Sequence, residues 1–239
     1  MKTIFYKADS RGHANHGWLD TKHTFSFANY YNPERMNFGL LRVVNDDTVA
    51  PGMGFGTHPH DNMEIVSIPT FGDLEHKDSM GHTQVIKFGE VQAMSAGTGI
   101  THSEYNANND KAVEFFQIWV FPRQEGLKPR YAQKEFDYNE KRNDFTLIVS
   151  PDSAEGSLEV YQDVWFNIGN FDKDSSKSYE IKKDGNGVFA MVVDGQFEIN
   201  GTVLNKRDAI GIWETGSIDV KSLSKNGQLL LIDVPMDFE

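Results

Sequence analysis

The chain has 239 residues, no cysteine, eight histidines and a formal net charge of −12. A chain of this length buries a substantial core, either as one large β domain or as two domains of about a hundred residues each. Without cysteine there can be no disulfide, thiolate zinc site or cysteine nucleophile, so any transition metal must be held by imidazole and carboxylate. The acidic balance argues against direct contact with nucleic acid, whose binders release counterions to a basic surface.

The N-terminal stretch MKTIFYKADSRGHANHGW lacks the apolar core and small-residue cleavage site of a secretory signal. No apolar run reaches bilayer length, so a cytoplasmic protein without membrane association is expected. Short apolar runs then recur between turn signals: HTFSF, FGLLRVV, MEIVSIP, TQVIKF and EFFQIWVFP. This is an all-β rhythm. The charged segment from Pro122 to Asn143, PRQEGLKPRYAQKEFDYNEKRN, interrupts it, and helical periodicity is confined to its polar part from Lys134 to Lys141. A second series follows: FTLIVS, VWFNIG, SYEIKK, VFAMVVDGQFEING, DAIGIWE and LLLIDVP. Within it, Asp194-Gly195 supplies the turn residues of a two-residue hairpin between VFAMVV and QFEIN. The predicted organisation is an N-terminal domain over 1–122, a linker over 123–143 and a C-terminal domain over 144–239, each a β-sandwich or barrel and together an internal duplication.

All eight histidines lie between His13 and His102, so the C-terminal half is expected to be free of a histidine metal site. In Thr57-His58-Pro59-His60 two imidazoles are two residues apart, which on an extended strand points both to one face. Thr101-His102-Ser103-Glu104 repeats the spacing with an imidazole and a carboxylate. Gly52, Gly54 and Gly56 precede the first pair, and Gly97 and Gly99 the second. Two such pairs on facing strands form a four-ligand cage of His58, His60, His102 and Glu104. Strand parity alone also admits Glu64 on the face of His58 and His60. His76 and Asp78 are candidates for orienting a ligand or touching substrate, whereas His13, His16, His23 and His82 read as structural or surface residues.

These residues resemble the two cupin motifs. Gly52, His58, His60 and Glu64 fit the first, with Gly72 one residue late; Gly89, Gly97, His102 and Asn106 fit the second, with Ser95 where proline is usual and two extra residues before the histidine. The closer resemblance is to the pirin family of bicupins, carried by HTFSFANYYNP at 23–33, THPHDNMEIVSI, HKDSMG at 76–81 and FGEVQAMSAGTGITHSEYN at 88–106. The resemblance implies two tandem cupin domains, of which the second, having no histidine, is expected to hold no metal. It also implies Glu104 rather than Glu64 as the fourth ligand, and Fe(II) as the ion. Ligand type by itself equally admits Mn, Ni, Cu or Zn.

Two functions follow from the resemblance. One is a dioxygenase of the quercetin 2,3-dioxygenase kind, taking a flat, flavonol-like substrate at the metal with Glu104 as general base and Phe25, Phe27 and Phe55 as candidate aromatic contacts. The other is an iron-dependent, redox-sensing regulatory protein that binds a protein partner. A metal-dependent isomerase or small-ligand binder is a third, less specific expectation.

Overall fold

A computed structural model describes residues 1–237 of the chain. Its strands, almost all antiparallel, form four sheets, and among the described residues helix is limited to two 3-10 turns, Ala8–Ser10 and Ala154–Gly156. One seven-stranded sheet runs in the order Arg130–Glu135, Glu90–Ser95, Glu64–Phe71, Val113–Val120, Leu41–Val49, Leu19–His23, Gly12–Asn15. A four-stranded sheet of Gly54–His60, Ile100–Asn106, Leu74–Asp78 and Thr83–Ile86 accompanies it. The second module repeats the plan. Its large sheet runs Lys2–Tyr6, Ala209–Trp213, Asn186–Asp194, Gly227–Pro235, Trp165–Phe171, Thr146–Ser150, Leu158–Glu159; its small sheet holds Ser176–Glu180, Ser217–Ser222, Gln196–Ile199 and Thr202–Asn205. The chain is therefore all-β, with two tandem cupin domains.

Side-chain alternation gives each large sheet two faces. Val66, Ile68, Phe116 and Ile118 lie on one face of the first and meet Phe166, Ile168, Phe189, Met191, Leu230 and Ile232 of the second in a single cluster. The two large sheets thus pack back to back. The opposite face of the second sheet fills its own module with Phe171, Val188, Ala190, Phe197, Leu229 and Leu231, and Phe171 meets Phe145 and Phe197 edge to face at 5.2 and 5.7 Å. Inside the first module the apolar groups are two small clusters, around Phe115 and around Met94.

The strands depart from the sequence expectations at three places. Asp194-Gly195 is not a hairpin turn: Asn186–Asp194 pairs with Gly227–Pro235 and Ala209–Trp213, while Gln196–Ile199 pairs in the small sheet. Gly195, at φ 82°, carries the chain from one sheet to the other, and the hairpin comes at Asn200-Gly201, with φ 45° and 79°. Both dipeptides suit a tight turn, and packing of the next strand decides which becomes a hairpin. The expected linker contains the strand Arg130–Glu135, paired with Glu90–Ser95; residues 134–141, expected to be helical, hold the end of this strand and the turns after it. The strand's alternation sends Ala132 to the inter-module core and leaves Tyr131 and Gln133 on the opposite face. Finally, Lys2–Tyr6 joins the second module by pairing with Ala209–Trp213, where Tyr6 packs 5.6 Å from Phe189 and 5.7 Å from Phe25. Lys2–Tyr6 thus lies in the second module's large sheet and Arg130–Glu135 in the first's.

Phe189 is fully buried between the large sheets, against Tyr6, Phe25 and Phe38. Phe189→Ala should cost about 3–5 kcal/mol in urea unfolding without changing metal content. A loss below about 1 kcal/mol would show that the two modules do not depend on this contact.

Candidate metal centre

Strands Gly54–His60 and Ile100–Asn106 are hydrogen-bonded neighbours, with His102 opposite His58. A bulge between His102 and Glu104 then sets Glu104 opposite Phe55. The close approach depends on Gly54, where a Cβ would lie 2.2 Å from the Glu104 carbonyl oxygen. The expected facing strands are thus neighbours in one sheet.

His58, His60 and His102 bring their ligand atoms within 4.8 Å of one another, and His76, His102 and Glu104 form a second, overlapping group. His58 Nδ1 lies 2.8 Å from the Gly56 carbonyl, so it donates there and leaves Nε2 with a free lone pair. That Nε2 is 3.0 Å from His102 Nε2. On the other side of His102, Nδ1 is 3.5 Å from His76 Nδ1, and His76 Nε2 is 3.2 Å from Asp78 Oδ2. With His76 donating to Asp78, its Nδ1 accepts from His102, and the His102 lone pair also falls on Nε2. Burial and neighbouring imidazoles push His60 down to about 4 and His102 to about 3, so both are neutral near pH 7. Neutral lone pairs converging at this distance repel unless a cation lies between them, and this donor set fits a divalent transition metal.

Glu104 is buried, with Gln117 Nε2 donating to Oε2 at 2.7 Å and Ser67 Oγ 3.3 Å from Oε1. Ser67 and Gln117 belong to a row at one level of the large sheet: Gln133, Gln92, Ser67, Gln117, Asn45 and His23 are successive cross-strand partners. This polar band lines the module's interior. Tyr131 is stacked between His76 and His82 at 4.8 and 4.7 Å, and His82 Nδ1 contacts Asp78 Oδ2 at 2.9 Å.

Glu64 belongs elsewhere. The turn at Asp61-Asn62, with Asn62 at φ 44°, moves the chain from the small sheet to the large one, so parity with His58 and His60 does not carry through. Glu64 Oε2 accepts from Ser95 Oγ at 2.6 Å and from the Tyr161 backbone N–H at 3.1 Å, fastening the first module to the second. Burial raises its pKa.

A cavity of about 370 Å³ lies in the first module; its lining includes Phe55, the cross-strand partner of Glu104, but none of the four candidate ligands. Leu19, Phe27, Tyr30 and Phe55 supply apolar wall, and Thr21, His23, Asn45 and Asp47 the polar wall. It connects to the site through rings: Phe27 meets Trp119 at 5.3 Å, and Trp119 meets His60 at 4.8 Å. Larger clefts of about 540 and 420 Å³ lie elsewhere among mostly polar and charged side chains, and contain none of the site residues. Of the expected aromatic contacts, Phe27 and Phe55 line the cavity, whereas Phe25 is buried in the inter-module core. His13, His16 and His23, read from sequence as structural or surface residues, also line it.

Sequence reasoning passed over Ser67, Gln117, Asn45 and Asp47. The available signal was a polar side chain inside an apolar strand, as in EFFQIWV and LRVVNDDTV.

Two back-to-back barrels, with convergent histidines in the first and a phenylalanine-filled interior in the second, define a bicupin. The Pirin family model matches residues 5–120 and the model for a quercetinase C-terminal cupin domain matches 147–234; the chain belongs to the pirin family. It is 45% identical to the quercetin 2,3-dioxygenase of Escherichia coli K12, over 96% of this chain and 97% of that protein. It is 38% identical to a pirin-like protein of Caulobacter vibrioides, over 94% and 96% respectively. A bacterial pirin of Escherichia coli, solved in complex with nickel(II), superposes with a TM-score of 0.92 at 43% identity, covering 98% of this chain and 99% of that one.

His58→Ala and His102→Ala should each remove stoichiometric metal, measured by mass spectrometry of the purified protein, while the circular dichroism spectrum stays β-type. Unfolded variants would instead make the cluster a structural site. A separate expectation concerns Asp47, whose pKa burial raises from 3.8 to about 7. The folded state therefore keeps a proton that the unfolded chain releases, and this residue's contribution to stability falls as pH rises through that interval. Asp47→Asn should raise the melting temperature by a few degrees more at pH 8 than at pH 4. An equal change at both pH values would contradict a destabilising carboxylate.

Proposed function

We propose that this chain is a metal-dependent dioxygenase acting on flavonols of the quercetin type, with a single ion held by His58, His60, His102 and Glu104. The observation that carries the reading is the convergence of three imidazoles beside a buried, hydrogen-bonded carboxylate, next to an aromatic-walled cavity. The name of the Escherichia coli relative supports the same chemistry. We assign Fe(II) as the working ion; the ligand set also accepts Mn, Ni, Cu and Zn.

Bound there, the ion supplies Lewis acidity toward the hydroxyl and ketone oxygens of a flavonol, and redox chemistry with dioxygen. The protein supplies the rest. Glu104 accepts the proton of the substrate hydroxyl, and Gln117, whose Oε1 accepts from Ser67, holds its carboxylate in place for that transfer. Asp78 and His76 fix the His102 tautomer. Phe27 and Phe55 offer flat apolar surface to the substrate rings and exclude water from the reacting end.

Oxygen-electrode measurements on iron-loaded protein with quercetin should show uptake matched to loss of the flavonol absorbance. Glu104→Gln should lower kcat/KM by about 10²- to 10⁴-fold, the contribution of a positioned base, or more if metal is also lost. No oxygen consumption by fully loaded wild-type protein would overturn the enzymatic reading in favour of a metal-dependent regulatory protein.

A further inference from the structure

Asp47 lies in the middle of Leu41–Val49, on the side that faces the cavity, with Thr21 as one cross-strand neighbour and Phe115 as the other. Only 4% of the residue is exposed. Its Oδ1 has no hydrogen-bond partner, and among the described residues Asp47 makes no ion pair. The nearby charges acting on it are the carboxylates of Asp46 and Glu104. Buried carboxylates are ordinarily satisfied by two or more donors; the unpartnered Oδ1 is closed off from solvent just behind the wall of this ligand-sized space, and rotation of the side chain brings it to the wall. The neighbouring polar groups do not use it: His23 Nδ1 lies 2.8 Å from Asn45 Oδ1, and Gln117 is committed to Glu104.

We propose that Asp47 is a specificity-determining residue, accepting a hydrogen bond from a phenolic hydroxyl on the part of the substrate that lies away from the metal. This rests on the flavonol reading above and narrows it to ring-hydroxylated flavonols. Phe27, Phe55 and Asp47 line the same cavity, so a planar ligand there meets both apolar rings and this carboxylate. A ligand without the hydroxyl strips water from the Asp47 side of the cavity and leaves the acceptor unmatched. This asymmetry lets a buried polar group discriminate more strongly than an added methylene in an apolar pocket.

The test compares quercetin with 3-hydroxyflavone, which keeps the hydroxyl and ketone needed at the metal but lacks the other ring hydroxyls. Equilibrium affinities for metal-loaded wild type, Asp47→Asn and Asp47→Val are read by fluorescence quenching or calorimetry, with turnover measured alongside. At pH 8, where Asp47 is ionised, quercetin should bind the wild type more tightly, and Asp47→Val should reduce the quercetin to 3-hydroxyflavone affinity ratio by about 10- to 100-fold, the range for a hydrogen bond to a charged group. Asp47→Asn preserves shape and a weaker acceptor, and should fall between them, which guards against a packing effect of valine. An unchanged ratio in Asp47→Val, or an equal loss for both ligands, overturns the assignment. If the wild type binds both ligands but turns over neither, the dioxygenase reading fails while the affinity ratio still decides the role of Asp47. If it binds neither, both fail.

Discussion

The back-to-back packing of two seven-stranded sheets is the constraint on which the molecule depends. Each sheet commits one set of alternating side chains to a shared apolar layer, from Val66 and Phe116 on one side to Phe189 and Ile232 on the other. Area removed from water there stabilises both modules together. Because this layer uses only one face of each sheet, the opposite faces can differ. In the second module that face is filled by Phe171, Phe197 and aliphatic neighbours, whereas in the first it carries a polar band and the histidines.

This division explains how polar groups are tolerated inside the first module. The band runs across adjacent strands at one level, so Ser67 and Gln117 can satisfy each other and Glu104. Above it, the paired strands Gly54–His60 and Ile100–Asn106 deliver the imidazoles, and the bulge after His102 shifts the register before Glu104. The acid at the other cupin position, Glu64, faces the shared layer and serves the contact with Tyr161. Two carboxylates in the same module thus have separate duties because alternation and one turn place them on different faces.

Much of this was legible in the sequence. Alternating apolar runs marked nearly every strand, and the i, i+2 spacing of His58 with His60 survived folding because a strand preserves parity. What was not legible depended on contacts distant in sequence. The Asp194-Gly195 pair has hairpin chemistry, yet its flanking strands are claimed by different sheets. The strand Arg130–Glu135 was hidden in a charged segment because it is an edge strand, half-exposed and therefore weakly apolar, while residues 134–141, which looked helical, hold its end and the turns that follow. Asp47 and Gln117 were hidden for the converse reason: one polar residue in a strand has no periodicity until its cross-strand neighbours are known.

The position of Lys2–Tyr6 shapes how the chain can be made. In chain order this strand precedes the whole first module, and its partner Ala209–Trp213 follows that module. The first module is consequently enclosed in sequence between two parts of the second module's sheet, and it can assemble on the ribosome while the leading strand waits unpaired. Closure of that strand against Ala209–Trp213 spans the whole first module, a contact of high sequence separation that folding reaches slowly. Tyr6, which follows the strand into the layer beside Phe25 and Phe189, therefore reports completion of the whole molecule rather than of either half.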